Sequence, residues 1–410
     1  MHDLPGPRPA AATLTPTRWA IVGLCILLNM ADGMDVLVLS FTAPLIASQW
    51  HLPPDQVGWL FSAGLLGMMA GCLALAPQAD RLGRKPVLLA SLLLNALGLA
   101  GAATAGSIGQ LLAARFVTGV GVGGILPAIA AIAMESSGER RRNLNVGLVQ
   151  AGWPAGALLT GYVASAVIAS SGWRVLFGGI AAVAVLMFLL VAAWMPESTE
   201  LLERRRTAGT RPAGRAVLEL LSPEHVAATW RLWVGTFFAF MTLYTLISWV
   251  PSFAGSAGLR LEAAIHAGTV LNLGALAGTC AIGIVSRWIG LRRFTLFALL
   301  LAIVSMLAFS QGSIGGSFGL PLIFLIGATV QGGFNSYYPI ATRVYPPELR
   351  ASGVGFAMGI GRAGAVLGPL AAGYLLAAGV PMSRLFIGFS VPLLVSAIAA
   401  YGIRRESLDR

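Results

Sequence analysis

Ala76-Pro77-Gln78-Ala79-Asp80-Arg81-Leu82-Gly83-Arg84-Lys85 separates two long apolar runs, and Gly283-Ile284-Val285-Ser286-Arg287-Trp288-Ile289-Gly290-Leu291-Arg292 does the same at an offset of 207. A second pair of segments recurs in nearly the same register. Arg142-Asn143-Leu144-Asn145-Val146-Gly147 faces Arg350-Ala351-Ser352-Gly353-Val354-Gly355, and Gly156 faces Gly364. One such match is within reach of chance. Two, in corresponding short basic loops, indicate that the chain is two copies of one unit in parallel order.

The sequence around these loops is too apolar for water. Of 410 residues 57% are hydrophobic and 10% charged, against about 25% charged in ordinary soluble domains. That excludes a soluble enzyme, a nucleic-acid binder and a disordered chain. Runs free of Asp, Glu, Lys and Arg cover 56–79, 86–114, 116–134, 143–173, 175–196, 232–259, 263–286, 363–383 and 385–403. Each approximates the ~20 residues that cross a bilayer as a helix. The run 294–342 is long enough for two helices, with a turn at Gly312-Ser313-Ile314-Gly315-Gly316-Ser317, and Asp32 and Asp35 interrupt a first span. The reading is an all-α integral membrane protein of twelve transmembrane helices in two six-helix pseudo-repeats. The expected spans are 18–47, 57–79, 86–106, 110–134, 143–169, 174–194, 230–254, 263–287, 292–311, 317–341, 350–378 and 383–403. They give tails at 1–17 and 404–410, bundles at 18–195 and 230–403, and a linker at 196–229.

The net charge of +11 from 27 basic residues reports topology more than partners. Basic residues of cytoplasmic loops outnumber those outside. Here Arg81, Arg84, Lys85, Arg140–Arg142, Arg204–Arg206, Arg287, Arg292, Arg293, Arg343 and Arg350 follow even-numbered spans, and the other side offers Arg174, Arg260 and Arg384. Both termini and the central linker are therefore expected in the cytoplasm. The Pro-rich start has no apolar core before Trp19, so no cleaved signal peptide is expected. The three cysteines show no metal spacing, and the four histidines form no His-Glu-x-x-His zinc site.

An ionisable residue inside a span costs about 2.5–3.5 kcal/mol on insertion scales, so each calls for a reason. Asp32 and Asp35 lie three apart on one helix, with Gly33 leaving room for another helix or a ligand. Both are candidates for carrying protons, Asp32 the stronger, and the alternative is a structural ion pair. Burial disfavours a charged carboxyl while a nearby arginine favours it. Arg362, well inside span eleven, is a candidate for an organic anion, since guanidinium presents a planar fork to carboxylate. Its alternative partner is Asp32 or Asp35. Arg115, near the outer end of span four, either lines a cavity or ties helices together. Trp153 and Gln150 in span five, Tyr244 and Trp249 in span seven, and Gln331, Asn335, Tyr337 and Tyr338 in span ten would supply aromatic walls and hydrogen-bonding groups. Tyr337 and Tyr338 are adjacent, so one at most faces the cavity. His266 near the start of span eight is a candidate proton site, and the alternative, more common for a lone histidine, is a packing or capping residue.

Asp80-Arg81-Leu82-Gly83-Arg84-Lys85 resembles the signature loop of the major facilitator superfamily, with Ala76 where that pattern opens on glycine. Arg115-Phe116-Val117-Thr118-Gly119-Val120-Gly121-Val122-Gly123-Gly124 resembles the superfamily's fourth-helix motif. Asp32-Gly33-Met34-Asp35, Pro196-Glu197-Ser198, and Tyr345-Pro346 through Arg350 to Gly361-Arg362-Ala363-Gly364 narrow the resemblance to the aromatic acid:proton symporters. The resemblance implies the major facilitator fold, a monomer spanning a bacterial inner membrane many times, and import of a small aromatic carboxylate with protons as coupling ion. It implies neither enzyme activity nor a cofactor, metal or nucleic-acid partner. Another organic anion or sugar acid, or export of a drug or metabolite, is the alternative cargo on the same fold. Asp80, Arg81, Gly83, Arg84, Lys85, Glu135, Arg142 and Arg350 are then gating candidates. Glu135 would pair with Arg84 or Arg142, and Asp80 would sit at the N-terminus of span eleven, where the helix dipole favours an anion.

Overall fold

The computed structural model describes residues 16–75, 78–79, 82–137, 142–195, 197, 219–256, 261–311 and 319–403. Within them the order of elements is α1 (Pro16–Trp50), α2 (Pro54–Ala74), α3 (Arg84–Thr104), α4 (Ile108–Glu135), the stretch Arg142–Trp194, α7 (Val226–Ser256), α8 (Leu261–Ile289), α9 (Leu291–Gln311), α10 (Gly319–Asn335 continued as Tyr337–Val344), α11 (Pro347–Ala377) and α12 (Met382–Gly402). Arg142–Trp194 is broken at Gly172, whose φ of 79° and ψ of 172° leave the helical region. It therefore comprises α5 (142–171) and α6 (173–194). A positive φ of this kind is open to glycine at little cost, so the chain reverses there with almost no loop.

Among the described residues, eleven helices are long and apolar enough to cross a bilayer unaided. The twelfth, Gly319–Asn335, has 17 residues and reaches span length through its continuation beyond Ser336, whose φ of −63° and ψ of −22° keep the helical path. Expected and observed spans differ mainly at their ends. α1 runs from Pro16 to Trp50 rather than over 18–47, and α7 begins at Val226 rather than at 230. Proline opens α2 and α11, where its missing N–H would have no helical partner anyway. Leu189, Phe297, Val304 and Ile398 point outward, as a surface in contact with hydrocarbon requires.

The internal repeat reappears in the packing. A Cβ placed on Gly67 would meet the Phe116 carbonyl, and one on Gly71 the Val120 carbonyl, so α2 and α4 touch backbone to backbone. Gly274 against Phe324 and Gly278 against Ala328 reproduce this contact between α8 and α10. The reverse contacts correspond too, Gly119 against Gly64 and Gly327 against Leu271. Gly156 against Met30 joins α5 to α1 as Gly364 against Phe237 joins α11 to α7. All of these pairs are related by offsets of 207 or 208. Small residues that let backbones approach are the usual means of helix association in lipid, and here both halves use them at equivalent positions.

The halves meet where α1 ends and α2 begins. Ser40 Oγ donates to the Ile247 carbonyl at 2.5 Å, and the Ser248 carbonyl, 208 residues from it, lies at 3.2 Å. Ser40 and Ser248 are repeat equivalents, so α1 and α7 touch across the pseudo-symmetry axis. Ser62 Oγ donates to the Val366 carbonyl at 2.7 Å, Trp59 Nε1 to the Tyr374 hydroxyl at 3.1 Å, and Phe61 packs edge-on against Trp249 at 5.4 Å. These contacts join the halves at the end remote from the basic loops.

Candidate functional site

Two polar sites are built side by side on α1. Asn29, Asp32 and Asp35 are buried near its middle. Three residues turn a helix by about 300°, so Asp32 and Asp35 point about 60° apart and serve different neighbours. Asp35 Oδ1 accepts from Arg115 Nη1 of α4 at 2.7 Å, and both side chains are buried. This is the structural alternative for Arg115: it ties α1 to α4 and faces a small space shared with Phe61, Met68 and Tyr244.

Asp32 faces elsewhere. It opens on a cavity of about 620 Å³, open solvent included, whose lining comes from α1, α4, α5, α7, α10 and α11. Trp153 reaches this wall because α5 crosses α1 without spacing: a Cβ on Gly33 would meet the Trp153 carbonyl. The room at Gly33 is thus taken by a helix rather than by a ligand. Neither carboxyl oxygen of Asp32 has a hydrogen-bond partner in good geometry, although the Trp153 indole stands beside it. Arg362, halfway along α11, enters from the other half, and among the described residues no carboxylate lies within ion-pair distance of it. Charge inside a span without a fixed partner is costly. This cavity holds both signs of it.

The walls are aromatic. Phe240 stacks on Tyr244 with centroids 5.9 Å apart and meets Phe334 edge-on at 4.5 Å, and Phe334 meets Tyr338 edge-on at 6.0 Å. Flat rings disposed in this way offer a slot for another flat ring. Gln150, Gln331 and Asn335 add polar groups. Tyr244 lines both the Asp32 cavity and the space beside Arg115, so it stands between the two charged sites.

Of the residues singled out from sequence, Asp32, Arg362, Trp153, Gln150, Tyr244, Gln331, Asn335 and Tyr338 come together at this cavity. Tyr337 does not, which is a correction. Its hydroxyl bonds the Ser396 carbonyl at 2.7 Å and lies 2.8 Å from Ser396 Oγ, binding α10 to α12. One residue of helix turns a side chain by about 100°, which separates it from Tyr338. Trp249 is likewise engaged, donating to the Pro369 carbonyl at 3.1 Å, and His266 is exposed. Asn29, Phe240 and Leu243, not among the sequence candidates, line the same cavity. The signal for the last two was available, because they lie at or next to the repeat counterparts of Asp32 and Asp35 and reach the same cavity from α7.

Asp80 and Arg81 lie outside the described residues, as do the side chains of Glu135, Arg142 and Arg350. The remaining loop residues take a partner not anticipated from the pairings considered. Glu197, just after α6, accepts from the backbone N–H of Arg84 at 2.8 Å and of Lys85 at 3.4 Å, and Lys85 Nζ donates to the Ala192 carbonyl at 2.9 Å. Gly83 has a φ of 117°, and a Cβ there would meet the Glu197 carboxylate. The loop thus presents the N-terminus of α3 to an anion, with glycine where the carboxylate must come close.

A twelve-helix bundle of two equivalent halves, with unpaired charges at mid-depth between them, is the architecture of a secondary carrier. The sequence profile of the Major Facilitator Superfamily matches residues 25–338. The chain is 33% identical over 383 residues to the 3-(3-hydroxy-phenyl)propionate transporter of Escherichia coli (strain K12), covering 93% of this chain and 92% of that one. It is 30% identical over 423 residues to a 4-hydroxybenzoate transporter of Pseudomonas aeruginosa, covering 95% and 93%. A crystal structure of a D-xylose-proton symporter superposes with a TM-score of 0.79 at 15% identity, over 96% of this chain and 99% of that one, and so shares the fold. The chain belongs to the Major Facilitator Superfamily and is a multi-pass membrane transporter.

Proposed function

We propose that the protein imports a small aromatic carboxylate together with protons, by alternating access around Asp32 and Arg362. The observation that carries this is the pairing, in one aromatic-walled cavity, of a carboxyl and a guanidinium that, among the described residues, form no ion pair. Each lacks a fixed partner, so each invites a mobile one. A carboxylate substrate suits the fork of Arg362, and a proton suits Asp32. The two are coupled by charge: ionised Asp32 competes with the substrate for Arg362, and protonated Asp32 does not. Substrate and proton therefore favour the same state, and the carrier moves them together. The names of the two relatives, both transporters of phenolic acids, support an aromatic cargo. The join between the halves lies at the end remote from the basic loops, which supports entry to this cavity from the cytoplasmic side in the conformation described.

The test is uptake into proteoliposomes. With an acidic exterior, labelled benzoate- or hydroxybenzoate-type acids should accumulate above the level in protein-free liposomes, and a protonophore should abolish the excess. Asp32→Asn should lose accumulation against a gradient while substrate exchange persists. No driven uptake of any benzoate- or cinnamate-type acid would sink the proposal, and full driven uptake by Asp32→Asn would remove Asp32 from it.

A further inference from the structure

Gln331 and Asn335, one turn apart on α10, belong to a hydrogen-bonded chain whose direction is fixed by the backbone. Thr279 of α8 donates its hydroxyl hydrogen to the Ala275 carbonyl at 2.9 Å. Its oxygen therefore receives Asn335 Nδ2, also at 2.9 Å, as acceptor only. With that nitrogen engaged, Asn335 Oδ1 is turned toward Gln331 and accepts from Nε2 at 3.3 Å. What is left over is Gln331 Oε1. It is an acceptor without a partner, on a side chain 7% exposed that lines the Asp32 cavity. Asn29, across the cavity on α1, follows the same logic. Its Nδ2 donates to the Val149 carbonyl at 2.6 Å, a group that only accepts, so Oδ1 is left without a partner.

The helix crossing does not require these amides. In the other half the equivalent positions are Cys72, Gly123 and Pro127, and Cys72 Sγ bonds the Gly123 carbonyl at 3.1 Å. The α2–α4 contact is thus made without any carboxamide. A buried acceptor without a donor is unfavourable, and both halves would pack without it, so its use lies in what enters the cavity. A carboxylate cannot satisfy it, because two oxygens without hydrogen between them repel. The anionic end of a substrate belongs at Arg362, and a donor belongs at Gln331.

We propose that Gln331 is a specificity-determining residue, its Oε1 accepting the hydrogen of a ring hydroxyl, so that the carrier prefers hydroxylated aromatic acids to the unsubstituted acid. Asn335 and Thr279 are positioning residues that engage the Gln331 nitrogen and so leave its oxygen unpaired. This deepens the reading of the cavity as an aromatic-acid site and rests on it.

Competition against driven uptake by the full chain in proteoliposomes tests it, with benzoate, 3- and 4-hydroxybenzoate and their methoxy analogues. The better hydroxy isomer should compete at least about tenfold more strongly than benzoate, since a site built for a hydroxyl penalises the analogue lacking it. Its methoxy analogue, which has no hydrogen to give, should lose that advantage. In Gln331→Met the hydroxy-to-plain ratio should fall toward one. Thr279→Val, which frees Asn335 to turn and adds nothing to the cavity wall, should lower it partway and serves as the test if Gln331→Met fails to fold. Equal competition by benzoate and both hydroxy acids, equal competition by the methoxy analogue, or a ratio unchanged by substitution overturns the assignment. Absence of any driven uptake by the wild-type protein would instead overturn the transport reading, so the two failures are distinct.

Discussion

At the residue scale, the buried ion pair of Asp35 and Arg115 shows how the same charge types take different tasks one turn apart. Both members are desolvated and bonded at 2.7 Å, so removing one leaves the other charged and alone, at a cost of about 3–5 kcal/mol, while replacing both with apolar groups is often near neutral. Asp35→Leu and Arg115→Met should each lower the temperature of unfolding in detergent, and the double variant should recover much of the loss. Additive losses would show that the two side chains stabilise the bundle independently. Asp32 is placed differently: among the described residues no arginine lies within ion-pair distance of its carboxyl. The sequence announced that both aspartates required a reason. It did not say which was paired, because Arg115 is 80 residues away from Asp35 and the meeting depends on how α4 is rotated against α1. The same limit applied to Tyr337 and Tyr338. Adjacency said that one at most faced the cavity, and helix rotation chose Tyr338.

At the element scale, glycine decides how near two helices come, and the two halves make the same choice. Gly119 and Gly327 each admit a backbone carbonyl of the neighbouring helix, from Gly64 and Leu271. A side chain at either position must push two helices apart along their length, and in close-packed interiors overpacking costs about 1–3 kcal/mol or more. Gly119→Val and Gly327→Val should therefore reduce the yield of folded protein to a similar extent, measured by monodisperse recovery in detergent. A large loss from one and none from the other would contradict equivalent packing. The repeat was legible in two loops of the sequence. Its expression as glycine-to-carbonyl contacts was not, since many glycines lie in these helices, and a side chain at Gly355 or Gly359, inside the motif itself, would meet nothing within 4 Å. Glu197 is a comparable case. Its place in Pro196-Glu197-Ser198 is visible in the sequence, yet its role at the start of α3 requires the end of α6 to arrive beside Gly83.

At the scale of the whole molecule, two equivalent halves touch, among the described residues, at one end and enclose a cavity at mid-depth. α2 and α11 cross at Gly58, where a Cβ would meet the Pro369 carbonyl and the Cα of Gly373. Gly58→Leu should pry this end apart and expose the cavity from that side, raising the reaction of a cysteine introduced at Leu243 with a membrane-impermeant thiol reagent. Unchanged reactivity would mean that the α2–α11 contact does not control access. The sequence by itself determined that the chain spans a membrane, that it does so as two parallel copies of six helices, and that a handful of charges are kept where charge is costly. Those properties follow from apolar run length, the distribution of arginine and local recurrence, each readable along one dimension. Only the tertiary structure decided that Asp35 belongs to Arg115, that Asp32 and Arg362 share an aromatic cavity, and that Gln331, in the wall of that cavity, has a carboxamide oxygen without a hydrogen-bond partner. Those depend on the rotation and tilt of helices brought together from distant parts of the chain, and helix rotation is set by packing that no single segment encodes.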